Sequence, residues 1–146
     1  MIKILTLASL MVGLTVLIHF GGLLGLLRLL RHHDAQLRAQ ASQVRPAAVI
    51  LVVVLALMAI HSIEVWAYAL AYLALGALGD LEAALYFSTV SFTSLGYGDI
   101  VLDRRWRLLG AIEAANGLLL FGWSTAFLIS VIDRMRVLGP GRTNAP

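Results

Sequence analysis

Residues 93–99 read Thr-Ser-Leu-Gly-Tyr-Gly-Asp, and they lie between two apolar segments that are each long enough to cross a lipid bilayer. Glycine has no Cβ, so Gly96 and Gly98 can adopt the positive φ angles that other residues resist. With such angles at alternate positions, successive backbone carbonyl groups turn toward the same side of the chain. The heptapeptide therefore predicts an extended loop that presents a row of carbonyl oxygens.

Apolar runs on both sides of this heptapeptide place the chain in a membrane. The chain has 146 residues, of which 60% are hydrophobic and 13% are charged, and its mean hydropathy is +0.90. A soluble domain of this size could not cover so much apolar surface with polar residues. Three runs, 4–27, 47–75 and 108–132, exceed the roughly 20 residues that a helix needs to cross the bilayer. We therefore predict an all-α membrane protein with three transmembrane helices.

Basic residues are divided unevenly between the two ends of these helices. One side carries seven Lys or Arg residues and the other carries four. Because loops rich in Lys and Arg remain in the cytoplasm, we predict an external N-terminus, a cytoplasmic C-terminus and a heptapeptide that opens outward. The seven are Arg28, Arg31, Arg38, Arg45, Arg134, Arg136 and Arg142, and the four are Lys3, Arg104, Arg105 and Arg107. The basic linker at 28–45 is either this topology signal alone or also a contact for anionic lipid.

A fourth apolar stretch, residues 81–93, is too short to cross the bilayer. Asp80 is suited to cap the N-terminus of a helix there, and Glu82 adds negative charge to its first turn. Backbone that leaves the helix at membrane depth is tolerated only where protein or water surrounds it. We predict a re-entrant helix whose C-terminal end, the negative pole of its dipole, points toward the row of carbonyl oxygens.

This order of elements resembles the pore region of simple potassium channels, including bacterial and two-pore-domain types. The resemblance covers residues 85–126, about a third of the chain, and includes Trp106 near the start of the next helix. It implies a homotetramer with fourfold symmetry, in which rings of carbonyl oxygens replace the water around a K⁺ ion. The residues implied to form this filter are Ser94, Leu95, Gly96, Tyr97 and Gly98, flanked by Thr93 and by Asp99 at the mouth.

Several residues depart from the pattern of that family. Ser94 and Leu95 stand where threonine and valine are usual, and Val90 stands where some relatives have a glutamate that braces the mouth aspartate. Tyr86 and Phe87, the implied supports, occupy positions where two tryptophans are common, and Phe87 cannot donate a hydrogen bond to a filter tyrosine. These changes are compatible with three functions: a K⁺-selective channel, a weakly selective channel, and a non-conducting membrane scaffold or regulatory subunit.

Ionisable side chains inside the second and third runs are candidates for support of the filter. The rise per residue places Glu113 and Glu64 at similar depth. We predict that Glu113, or else Glu64, hydrogen-bonds the short helix or the loop and replaces the brace missing at Val90. His61 and Glu64 lie one turn apart on one helix face. They fit a buried hydrogen-bonded pair, a pH-sensing gate, or half of a metal site that would need His19 or Glu113 as a further ligand.

The predicted organisation has four parts. Residues 1–31 form an extra transmembrane helix, 32–46 a basic cytoplasmic linker, 47–134 the pore domain and 135–146 a cytoplasmic tail. Within the pore domain we predict an outer helix at 47–75, the short helix at 81–93, the filter at 94–99 and an inner helix at 106–133.

Two glycines lie midway along the predicted inner helix, and the chain offers no sign of an active site. Gly117 and Gly122 are candidates for a hinge or for close packing. With no nucleophile–base pair and no complete metal set, we predict no enzyme activity, no cofactor, no metal except permeant K⁺ and no nucleic-acid partner. A minimal pore without accessory domains favours a prokaryotic inner membrane.

Overall fold

The computed structural model describes residues 1–37 and 45–137. This part of the chain contains four helices and no strand, in the order α1 (Ile2–Leu37), α2 (Arg45–Ala74), α3 (Leu81–Phe92) and α4 (Arg107–Val137). Three of the helices include stretches that are long and apolar enough to cross a membrane, namely Ile2–His32, Ala47–Ala74 and Arg107–Arg134. The prediction of an all-α membrane protein with three spans is confirmed.

The helices extend beyond their apolar runs. α1 continues to Leu37, so the predicted linker at 32–46 begins as helix, and α4 continues to Val137 rather than ending at 133. A helix is held by its own backbone hydrogen bonds, so the apolar run marks only the part that crosses the bilayer. Arg38, in the candidate lipid-binding linker, and the predicted tail after 137 lie outside the described residues.

The short helix α3 forms because both of its ends are capped. α2 ends at Ala74, and Gly76 has a φ of +61° in the turn that follows. The side chain of Asp80 accepts a hydrogen bond from the Ala83 N–H at 2.9 Å, so Asp80 is the N-cap that the sequence indicated. Thr93 is the C-cap. α3 thus starts just after α2 and packs against both α2 and α4.

The helix α1 packs against both α2 and α4 of the same chain. The contacts fall into two apolar clusters, which we call the upper cluster, at the end of the bundle where α3 lies, and the lower cluster. The upper cluster contains Ala8, Met11, Tyr68, Tyr72, Phe92, Leu102, Leu109 and Leu120. The lower cluster contains Leu23, Leu26, Val53, Leu57 and Ile60. α1 therefore runs in the same direction as α4 and opposite to α2.

Buried polar side chains occupy the same interfaces. In α1, for example, Thr15 and His19 come after the residues of the upper cluster and before those of the lower cluster. The buried polar set is Thr15, His19, His61, Glu64, Ser88, Glu113, Asn116 and Ser124. Such groups are costly inside a membrane unless they are paired, and they often mark function.

Candidate functional site

The loop between α3 and α4 has the backbone alternation that the heptapeptide suggested. The φ angle is positive at every second residue, with +58° at Ser94, +60° at Gly96 and +77° at Gly98. Ser94 is the single non-glycine residue with a positive φ in the described part of the chain. A side chain in this conformation costs about 1–2 kcal/mol, so the surrounding contacts must hold it there.

Those contacts come from the C-terminal end of α3. The carbonyl oxygen of Val90 accepts hydrogen bonds from the N–H groups of Leu95, at 3.0 Å, and Gly96, at 3.2 Å. The carbonyl oxygen of Ser91 accepts one from the N–H of Ser94 at 2.8 Å. Three successive N–H groups of the loop are thus directed back toward α3, which leaves the opposite side of the loop for its carbonyl oxygens.

The side chains of this loop are only partly covered by their own chain. Leu95 is 56% exposed and Tyr97 is 66% exposed. The hydroxyl of Ser94 donates to the carbonyl oxygen of Ala114 in α4 at 3.3 Å, so α4 holds this side chain while its oxygen lone pairs stay available. Large apolar side chains that are exposed at this loop indicate a surface that other protein covers.

Tyr86 and Asp99 form a direct link between α3 and the end of the loop. The Tyr86 hydroxyl donates a hydrogen bond to the Asp99 carboxylate at 2.6 Å. This hydrogen bond holds the pKa of the Asp99 carboxyl below its usual value, because it stabilises the ionised form. The sequence named both residues as supports but did not pair them. Asp99 is thus braced by a tyrosine on α3, although Val90 cannot brace it.

The side chain of Phe87 makes apolar contacts with α2 and α4. Its ring meets that of Tyr72 edge to face, with the ring centroids 5.3 Å apart. A Cβ placed on Gly110 in α4 would lie 3.1 Å from the Phe87 ring. Phe87 therefore joins α3 to α2 and α4 by apolar contact.

Glu113 connects α4 to α2 and α3. It is fully buried, and it accepts a hydrogen bond from the Tyr72 hydroxyl at 2.6 Å. Its other oxygen lies 2.5 Å from the Ser88 hydroxyl, which also lies 3.0 Å from the Val65 carbonyl oxygen. The predicted contact between Glu113 and the short helix is present. Its role as a brace for the filter stays a prediction.

Glu64 is not at the depth that the sequence suggested. Its carboxylate lies 2.9 Å from Nδ1 of His19 and 2.8 Å from Nδ1 of His61, and Nε2 of His61 lies 2.9 Å from the Ser124 hydroxyl. Ser124, which contacts His61, follows Glu113 by about three turns of α4, and His61 precedes Glu64 by about one turn of α2. Glu64 and Glu113 therefore differ in depth by about two turns, and the prediction of similar depth was wrong. Glu113 on α4 lies closer to the end of the bundle that contains α3 than Glu64 on α2 does. Among the described residues, Glu64 makes none of the contacts with α3 that would support the filter.

The pair of His61 and Glu64 is therefore present, and His19 of α1 is its third member. Both imidazole rings contact the same carboxylate. The Nε2 atom of His19 is buried and has no hydrogen-bond partner among the described residues.

Further polar contacts were missed by the sequence reasoning. The side-chain NH₂ of Asn116 donates to the Thr15 hydroxyl at 2.8 Å and lies 3.4 Å from the Tyr68 hydroxyl. One signal was available, because the polar residues of α2 at 61, 64, 68 and 72 follow the spacing of a single helix face. That spacing identifies the face but not the partners on other helices.

The two inner-helix glycines have different surroundings. A Cβ on Gly117 would lie 2.0 Å from the carbonyl oxygen of Phe92, whereas a Cβ on Gly122 would meet nothing within 4 Å. Close packing therefore accounts for Gly117. The hinge hypothesis remains a prediction, and α4 is continuous through both positions.

Comparison with known proteins covers the helices that carry these features. A family model described as "Ion channel" matches residues 48–134, which is more than half of the chain. The matched residues contain α3, the loop and most of α2 and α4, whereas α1 precedes them. No curated protein and no solved structure matches the chain.

Proposed function

The chain belongs to the ion-channel family, and we propose that it is the subunit of a K⁺-selective channel that conducts passively. The observation that carries this proposal is the alternation of positive φ at Ser94, Gly96 and Gly98. With the N–H groups bonded to α3, the carbonyl oxygens are available to replace the hydration shell of K⁺. Rings of backbone carbonyls of this kind form the filters of potassium channels.

One chain supplies one wall of such a filter, so the proposed active unit is a homotetramer with fourfold symmetry. The exposure of Leu95 and Tyr97 supports this assembly, because neighbouring copies would cover them. A pocket of about 340 Å³ between α3, the loop and α4 offers space for side chains of a neighbouring subunit. It is lined by residues that include Ser91, Ser94, Gly110 and Ala114.

The proposed orientation places the N-terminus outside and the C-terminus in the cytoplasm, following the distribution of basic residues. Asp99 then lies at the external mouth, where its lowered pKa keeps it negative and attractive to cations. The C-terminal end of α3 points the negative pole of its dipole toward the pathway. A prokaryotic inner membrane is the setting we propose.

Flux measurements test this proposal. Purified protein is reconstituted into liposomes, and uptake of K⁺ is compared with uptake of Na⁺. Gly96→Ala places a Cβ at a φ of +60°, where an L residue is strained by about 1–2 kcal/mol, so we expect flux to be lost. Gly79→Ala is the matched control, because no atom lies within 4 Å of a Cβ there and its φ is not positive. K⁺-selective flux that survives only in the control supports the proposal, and no flux from verified tetramers would overturn it.

The packing of Phe87 favours one alternative. Because its ring contacts Tyr72 and carries no donor, α3 braces the tyrosine of the filter less than a tryptophan there would. A filter held this loosely could be weakly selective, or the assembly could serve as a non-conducting scaffold or regulatory subunit. Equal uptake of Na⁺ and K⁺ would identify the first case, and silent tetramers the second.

A further inference from the structure

We propose that His19, His61 and Glu64 bind one divalent transition-metal ion, with Zn²⁺ as the preferred species, inside each subunit. The three ligand atoms, an imidazole nitrogen from each histidine and a carboxylate oxygen, all lie within 4.8 Å of one another. His19 belongs to α1, outside the residues that match the ion-channel family. His61 and Glu64 belong to α2, inside the matched residues, and none of the three ligands is among the residues proposed to form the K⁺ filter.

The kinds of ligand suit this metal. Two imidazole nitrogens and one carboxylate oxygen form a known ligand set for Zn²⁺, which usually takes a fourth ligand such as water. Imidazole nitrogen favours Zn²⁺ and its neighbours in the first transition row over Mg²⁺ or Ca²⁺, which prefer oxygen ligands. The sequence suggested His61 and Glu64 as half of this site, with His19 or Glu113 as a further ligand, and the structure brings His19 to the pair.

The present distances between the ligand atoms would change in both directions when a metal ion binds. The Nδ1 atoms of His19 and His61 lie 2.9 and 2.8 Å from the oxygens of Glu64. In a tetrahedral zinc site with bonds of about 2.0–2.1 Å, neighbouring ligand atoms are about 3.3 Å apart. Each of these two contacts must open by about 0.5 Å, and the widest separation among the three ligand atoms, at most 4.8 Å, must close toward about 3.3 Å. The metal ion would replace any proton shared between these nitrogen and oxygen atoms.

The surroundings of the cluster support metal binding at His61 but not at His19. Nε2 of His61 lies 2.9 Å from the Ser124 hydroxyl, which can accept the Nε2–H of a metal-bound imidazole and fix its orientation. Nε2 of His19 is buried without a partner among the described residues, so a metal ion at Nδ1 would leave a buried Nε2–H without an acceptor there, a cost that the bonds to the metal must exceed.

The burial of Glu64 also favours a metal ion. Its side chain is fully buried, and in the described part of the chain its polar partners are the two histidines. A buried carboxylate is costly unless it is paired or bound to a metal. A metal ion here would link α1 directly to α2, and so attach the first span to the pore domain in the middle of the membrane.

The test uses the full-length protein, expressed with added Zn²⁺ and purified without chelators. Metal content is measured by mass spectrometry, and the zinc environment by X-ray absorption spectroscopy. We expect about one Zn²⁺ per chain, with two imidazoles and a carboxylate oxygen at about 2.0–2.2 Å. No zinc in the purified protein, or a spectrum without imidazole ligands, would overturn the proposal without requiring any variant.

Variants then locate the ion. His19→Gln and Glu64→Gln preserve a polar side chain of similar size, and we expect each to lower zinc content at least tenfold. His32→Gln replaces an exposed histidine of the same helix α1 and should leave the content unchanged. Ser124→Ala should weaken the apparent zinc affinity about tenfold, as expected for loss of a group that orients a ligand. Zinc retained in full by the His19→Gln protein would refute the site.

Discussion

Replacement of Gly117 by alanine tests whether α4 must touch the end of α3. A Cβ at this position would lie 2.0 Å from the Phe92 carbonyl oxygen and 2.8 Å from its carbonyl carbon. Because real Cβ contacts essentially never fall below 3.0 Å, the two helices must separate by about 1 Å. The obstacle is backbone, so no side-chain rotation can relieve it. Overpacking of this kind costs about 1–3 kcal/mol, and we expect the upper end of that range.

The consequence should reach the loop. Phe92 directly precedes the C-cap Thr93, and N–H groups of the loop donate hydrogen bonds to the carbonyl oxygens of Val90 and Ser91. A displacement of about 1 Å at Phe92 is comparable with the difference between a good hydrogen bond and a broken one. We therefore expect Gly117→Ala to lower both the thermal stability of the assembled protein and its K⁺ flux.

Gly122→Ala is the matched control for this prediction, since it lies on the same helix with open space around it. Both variants gain about 1 kcal/mol from the better helix propensity of alanine, so the difference between them isolates the steric term. The assays are thermal unfolding followed by size-exclusion chromatography, and liposome flux. Equal stability and flux in the two variants would refute the packing argument. A loss of flux in Gly122→Ala without loss of stability would instead support a hinge there.

Three further predictions concern polar contacts. Glu113→Ala leaves the hydroxyls of Tyr72 and Ser88 without this partner, at a cost of about 1–3 kcal/mol each, whereas Glu113→Gln keeps a donor and an acceptor. We therefore expect the alanine variant to have a lower unfolding temperature than the glutamine variant, and equal losses of stability would contradict the hydrogen-bond account. Tyr86→Phe removes the donor that lowers the pKa of Asp99, so this carboxylate should become protonated at higher pH than in the wild type. Since the ionised form attracts K⁺, flux measured against pH should fall off earlier on acidification, and an unchanged profile would count against the pairing. Asp80→Ala removes the N-cap of α3 and should cost about 1 kcal/mol in unfolding experiments; no change would mean that water replaces the cap.

Much of the fold could be predicted from the sequence because it follows from properties of single segments. Apolar length predicts the three spans, and Asp80 predicts the start of α3. Glycines at 96 and 98 predict positive φ at those positions, and the structure has it. The helix ends were less predictable, because α1 and α4 continue as polar helices beyond the apolar residues.

The buried polar contacts could not be predicted to the same extent, because they depend on how helices are rotated and shifted against one another. Glu64 and Glu113 were assigned similar depth by counting residues, yet Tyr72, which donates to Glu113, follows Glu64 by about two turns of α2. His19 lies 45 residues before Glu64 in the chain, and no local pattern connects them. The polar positions of α2 at 61, 64, 68 and 72 mark one face of that helix, but they do not reveal which helix meets this face.

The buried hydrogen bonds also have an order in time, because the ribosome makes α1 first and α4 last. Thr15 is satisfied within its own helix by the carbonyl oxygen of Met11, so His19 is the buried polar side chain of α1 that must wait for a later helix. When α2 is synthesised, His19 is already present and can pair with Glu64. Glu113 later meets partners on both α2 and α3. In a nascent chain that ends after α2, Glu64 would thus already have both of its histidine partners. In a chain that starts at α2, Glu64 would enter the bilayer with only one of its two histidines.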